Sequence, residues 1–147
     1  LGHHKKAVEL EPESARHHNN LGFSGYLAGE HDAAVAAVEE GLRLDPTAHR
    51  LFVNLGFALA AKGNEDEALR LFREALPEAA ARNNLALARE LRGDGEAARR
   101  MYQDALRESP ALPQAMANLE ALERPTGAQA PDPLPAAPAT GGDQEEK

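Results

Sequence analysis

The sequence predicts an all-α fold, an α-solenoid built from antiparallel helical hairpins. Three observations predict it. Short motifs recur at a fixed offset of 34 residues, apolar and small residues fall at helical spacing within each copy, and glycine and proline punctuate the copies at recurring places. Asn20-Leu21-Gly22 returns as Asn54-Leu55-Gly56, Glu11-Pro12 as Asp45-Pro46, Leu10 as Leu44, Gly29 as Gly63 and Ala34 as Ala68. The third copy, Asn84-Leu85-Ala86, follows after only 30 residues, and Asn118-Leu119 resumes the step of 34. Four residues have been lost between the second and third copies.

Taken in order, residues 1–14 read as the second half of a repeat whose first half is absent, so the chain is expected to start in mid-repeat. Residues 15–48 form a repeat, 49–78 a shortened repeat, 79–112 a repeat and 113–124 a terminal helix. Phe52, Leu55, Gly56 and Leu59, followed by Ala68, Phe72, Ala75 and Leu76, show how each copy supplies two apolar stripes. Gly29, Gly63 and Gly93 fall between the stripes, where tolerance of positive φ lets a helix end and the chain reverse. Pro12, Pro46 and Pro110 lack the donor that would continue a helix and so separate the hairpins.

Small residues on facing stripes, Gly22, Gly56 and Ala86 opposite Ala34, Ala68 and Ala98, predict close helix approach, with about 1–3 kcal/mol lost if a large side chain is forced in. Gly41 stands where Ala7, Ala75 and Ala105 stand. Its helix propensity, about 1 kcal/mol poorer than alanine's, predicts that the second unit is the softest. The lost four residues, about 1.1 helical turns, predict a shorter junction near Pro77 and a local change of curvature.

The 34-residue period with Leu-Gly, a later Ala, an aromatic four residues on and a Pro near the end resembles the tetratricopeptide repeat, in its prokaryotic type, over residues 1–124. The resemblance implies a superhelix of stacked hairpins in which the first helix of each hairpin lines a concave groove that holds a protein or peptide. Three departures stand out. Ala86 replaces the glycine of the other copies, Val38 occupies the place of Phe72 and Tyr102, and tryptophan is absent. Carboxylate-clamp cochaperones of this family use basic groove positions that here read Ala80 and Asn84, so that role does not carry over.

On the first helices, Asn20, Asn54, Asn84 and Asn118 would form a ladder of amides, each able to donate to and accept from an extended peptide backbone. Beside it, Phe23, Phe57 and Leu87 would form an apolar row, extended by Leu27, Ala61 and Leu91. The same asparagines could instead tie neighbouring helices together, with the rings buried between units. Arg16 and Arg50 lie one turn before the ladder, where they would favour an acidic peptide.

Other chemistry finds little support. There is no cysteine for a thiolate site or nucleophile, and no phosphate-cradling loop, nucleophile elbow or paired-carboxylate cleft. His3-His4, His17-His18, His31 and His49 lack the spacing of four that puts two metal ligands on one helix face. No catalytic residue, cofactor or metal is expected. The net charge of −8 argues against a nucleic-acid partner, and no apolar run reaches the roughly 20 residues of a membrane span. Residues 125–147 hold five of the ten prolines, with four carboxylates against Lys147, and are expected to be a disordered tail.

The sequence therefore predicts a non-enzymatic scaffold that binds an extended peptide or partner protein, with accessory service in pilus or secretion assembly as the narrower expectation. The alternative is a regulatory or substrate-binding segment of a larger enzyme whose catalytic domain lies upstream. A cytoplasmic location is expected, or a periplasmic or lipid-anchored one if a signal preceded Leu1. Nothing in the sequence specifies an oligomeric state.

Overall fold

The computed structural model describes residues 1–124, so the disorder expected of residues 125–147 lies outside the described residues. Those residues form eight α-helices: α1 (Gly2–Leu10), α2 (Ala15–Leu27), α3 (His31–Leu44), α4 (His49–Ala61), α5 (Glu65–Ala75), α6 (Glu78–Leu91), α7 (Gly95–Glu108) and α8 (Pro113–Glu123). The predicted all-α solenoid is the observed architecture.

The punctuation works as its chemistry dictates. Gly29, Gly63 and Gly93 take φ of +76°, +92° and +93°. The next residue's N–H then turns back to a carbonyl five residues earlier, Glu30 to Gly25, Asn64 to Leu59 and Asp94 to Arg89, at 2.9–3.0 Å. α1, α3 and α7 each end two residues before Pro12, Pro46 and Pro110, and α8 begins on Pro113, where a missing N–H costs nothing. Ser14 accepts from His17 N–H at the start of α2, and Asp94 caps α7 by accepting from Ala97 N–H at 3.2 Å.

Within a hairpin, one glycine admits one large side chain. A Cβ at Gly56 would lie 2.5 Å from the Phe72 ring, and one at Gly22 would lie 2.3 Å from Val38 Cγ2. The expected pairing of Gly22 with Ala34 is thus only part of the contact, since the deepest approach is to Val38. Ala34 lies against both glycines, its carbonyl oxygen 3.1 Å from a Cβ built at Gly22 and its Cα and Cβ 3.4 Å from one built at Gly25. In the third hairpin Ala86, Ala98 and Tyr102 are all fully buried together. Phe72 and Tyr102, both fully buried, are the largest side chains of the core.

Gly41 has a different role from the one its helix propensity suggests. A Cβ there would meet Leu51 at 2.8 Å and the Ala15 carbonyl at 3.3 Å, so the glycine lets α2, α3 and α4 converge. The position is thus also one of close packing, against the buried Leu51.

α2 packs on α3, α4 on α5 and α6 on α7 as hairpins. α2, α4, α6 and α8 also touch in succession, whereas among the described residues no two odd-numbered helices do. A stack curves toward the row whose members are closer, so the even-numbered helices line the inner face. On α8 the place of Gly22, Gly56 and Ala86 is taken by Glu120, exposed and paired with Arg124 at 2.6 Å.

The shortened junction removes the last turn of α5, which has 11 residues where α3 and α7 have 14, and leaves only Leu76 and Pro77 before α6. Glu78, the first residue of α6, holds both Arg73 and Arg82 at 2.7 Å, and Arg82 reaches on to Glu108 of α7. Contact between α4 and α6 is kept, so the stack continues through the joint. The hydrogen bond from Arg73, and then that from Arg82, holds the Glu78 carboxyl at about 2, well below its ordinary 4.5.

Gly56→Ala is expected to destabilise the protein by about 1–3 kcal/mol through overpacking against Phe72, read as a lower urea midpoint with unchanged slope. For Glu78 the folded carboxyl is depressed, so its contribution is present above about pH 4.5 and fades as pH falls toward 2. Acid titration of wild type and Glu78→Gln should therefore converge below that window and separate above it, with the wild type the more stable.

Candidate functional site

The inner face is assembled from one stripe per even-numbered helix. Arg16, Asn20, Phe23 and Leu27 are spaced four, three and four apart, which keeps them on one side of α2, and Arg50, Asn54, Phe57 and Ala61 repeat that spacing on α4. The buried glycines of α2, Gly22 and Gly25, face α3 on the other side.

The predicted apolar row is resolved into two kinds of residue. Phe23 (40% exposed), Leu27 (60%) and Leu91 (63%) present apolar surface to solvent on this stripe; Met116 of α8, also exposed, stands at the repeat position of His18 and Arg82, two residues before Asn118, and so lies off it. Phe57 is half-buried between units, edge-on to Phe72 with ring centroids 5.1 Å apart and 6.0 Å from Tyr26 of the preceding hairpin. Leu87 is half-buried against the Ala86, Ala98 and Tyr102 cluster. The rings at the centre hold the stack, and the open apolar surface lies toward its two ends.

The asparagines are brought together in pairs. Asn54 Nδ2 donates to Asn19 Oδ1 at 2.8 Å, and Asn118 Nδ2 donates to Asn83 Oδ1 at 3.2 Å. Asn20 is half-buried and Asn84 is buried. The bonds run between successive even-numbered helices at an offset of 35, one more than the repeat, because a side chain bonds the next helix one position further along. That offset makes Asn19 and Asn83 the partners, and the doublets Asn19-Asn20 and Asn83-Asn84 were the signal for them in the sequence. At the middle step Val53 stands where Asn19 and Asn83 stand.

Electrostatic ties flank the face. Glu65 at the start of α5 accepts from Arg89 (2.9 Å) and Arg92 (2.8 Å) of α6. Tyr102 donates to Glu90 at 2.7 Å, and burial, reinforced by that bond, pushes the Tyr102 hydroxyl far above its ordinary range. His18 Nε2 lies 2.8 Å from the Pro12 carbonyl oxygen and so carries the proton. His17 Nδ1 is buried with no hydrogen-bond partner, 3.8 Å from Glu11. Among the described residues no three histidine or carboxylate side chains are grouped to hold a metal ion, and no helix is long and apolar enough to cross a membrane.

The family model described as "Tetratricopeptide repeat" matches residues 5–49 and 26–80. Solved structures share the fold. A thermophilic tetratricopeptide repeat protein of Thermus thermophilus, TTC0263, is 20% identical with a TM-score of 0.58, over 81% of this chain and 69% of that one. PilF of Pseudomonas aeruginosa is 22% identical with a TM-score of 0.55, over 81% and 56%. MamA is 23% identical with a TM-score of 0.54, over 73% and 65%. The matches thus span less than two thirds of the MamA and PilF chains. No curated protein sequence matches the chain.

Replacing Asn19 by Ala removes the acceptor that the Asn54 amide uses, and is expected to cost about 1–3 kcal/mol in urea unfolding. Asn20→Ala, one position along, should stay within about 0.5 kcal/mol of the wild type. The opposite ranking would place the inter-helix bond at Asn20 instead.

Proposed function

The chain belongs to the tetratricopeptide repeat family, and from that premise we propose that its inner face holds an extended segment of a partner protein as a non-catalytic scaffold. The observation that carries this reading is that, among the described residues, three of the five exposed large apolar side chains fall on the inner stripe, Phe23 and Leu27 on α2 and Leu91 on α6. Apolar surface left open on a face already tied together by Asn19–Asn54 and Asn83–Asn118 is surface that folding has not used. Asn20, with Arg16 and Arg50 a turn before the asparagine positions, supplies polar contacts beside it. Asn54 and Asn118 hold the inner helices in register, and Asn84, Phe57 and Leu87 shape the face.

The narrower setting we propose is accessory service in pilus or secretion assembly. The fold shared with a protein named PilF supports it. Loss of surface pili or of a secreted protein on deleting the gene is the expected result, and intact piliation and secretion would remove this setting while leaving the groove.

The groove itself is tested by placing a photo-crosslinking amino acid at Phe23 or Leu91, and at Glu39 or Arg70 on the outer helices, in cells. Shared adducts from the two inner positions, and none from the outer ones, are expected. Adducts from the outer positions alone would overturn the reading.

A further inference from the structure

Three inner helices end on one row. Leu27, Ala61 and Leu91 are the last residues of α2, α4 and α6 and hold equivalent places in their repeats. Leu27 and Leu91 are exposed, and Phe23 opens beside Leu27 one turn back along α2. The next place on the row, 34 residues after Leu91, is Pro125, which follows Arg124 at the C-terminal end of α8. The chain therefore leaves α8 at the row itself.

It also leaves in a defined direction. Arg124 has φ −67° and ψ 138°, close to polyproline II and outside the helical region that a following proline disfavours. The sequence beyond it keeps that preference, with prolines at 125, 131, 133, 135 and 138. Among residues 125–147 there is a single large apolar side chain, Leu134, set between Pro133 and Pro135.

The lengths match. Packed helices lie about 8–10 Å apart, so the three steps along the row from α8 to α2 cover about 24–30 Å. Leu134 stands nine residues after Pro125, which at about 3.1 Å per residue in polyproline II is about 28 Å. That distance brings it to the end of the row where Phe23 and Leu27 leave apolar surface open. The tether holds it there at an effective concentration on the order of 1 mM, and the flanking prolines reduce the freedom lost on docking, so a modest contact suffices.

We propose that residues 125–138 run back along this row in extended form and seat Leu134 between Phe23 and Leu27, where a partner segment must compete with it. The proposal rests on the reading of the inner face as a groove for an extended segment, and it names a segment of this chain as the resident occupant.

The test uses the full chain, which has no cysteine of its own. Ala136→Cys carries a nitroxide, and the amide signals of isotope-labelled protein report how near the label comes to each residue. Signal loss should be greatest at Phe23, Leu27 and Ala28, far from the point where the segment leaves α8, and small at Glu39 and Arg70 on the outer helices. Leu134→Ser in the same background should move the maximum back to Leu91 and α8. Isotope-labelled chain without nitroxide, mixed with unlabelled chain that carries it, should lose no signal.

A maximum beside Arg124 in both proteins would overturn the proposal, as would a maximum at Leu27 that survives Leu134→Ser. Signal loss in the mixture would overturn it too, since the occupant would then be a second copy. The competition is read separately in cells, where Leu134→Ser should raise the yield of partner adducts from the crosslinker at Phe23, and an unchanged yield would overturn it. Absence of adducts from both Phe23 and Leu91, with or without that substitution, would remove the partner reading instead, while the nitroxide result still decides the contact made by Leu134.

Discussion

The stack depends on one steric constraint, the approach of a small residue on each inner helix to a large one on its outer partner. Gly22 receives Val38, Gly56 receives Phe72, and Ala86 shares a buried cluster with Tyr102. With no Cβ in the way, the large side chain reaches the facing backbone and the two helices close on each other. Every later feature inherits that geometry, because the inner stripe is defined by which side of α2 and α4 the glycines commit to the interior. The third hairpin solves the same problem with a polar end. Tyr102 fills the space as Phe72 does, and its hydroxyl continues to Glu90, so its burial leaves no unsatisfied group.

A second layer of contacts joins the hairpins, in which polar ties accompany the apolar cluster that runs from Val38 of α3 to Leu85 of α6. Asn19–Asn54 and Asn83–Asn118 join inner helices, Glu65 joins α5 to α6, and Glu78 fastens the shortened junction between Arg73 and Arg82. Such bonds add direction to an otherwise slippery apolar contact. An amide pair tolerates little displacement along the helix, whereas leucine against alanine tolerates more. Where α5 loses a turn, Glu78 at the start of α6 pairs with Arg73 of α5 and with Arg82 of its own helix.

The division of labour on the inner face follows from these two layers. Residues at the centre of the stack are drawn into holding it together, as Phe57 is by Tyr26 and Phe72. Residues toward the ends, Phe23, Leu27 and Leu91, keep their surfaces open. The face therefore presents apolar patches separated by amides already engaged with one another.

The sequence by itself determined the period, the hairpin and the positions of the turns. Each of these is a local property, carried by a positive-φ glycine, a proline without a donor, or apolar residues at helical spacing, so each is legible along the chain. Only the tertiary structure decided which asparagine meets which, since the inter-helix offset of 35 arises from how adjacent helices are displaced, a quantity no single repeat encodes. It alone also decided that Gly41 is a three-helix contact and that Phe57 is half-buried between units while Phe23 is open. Equivalent residues in a periodic sequence look alike, but their neighbours differ along a finite stack, and burial is set by neighbours.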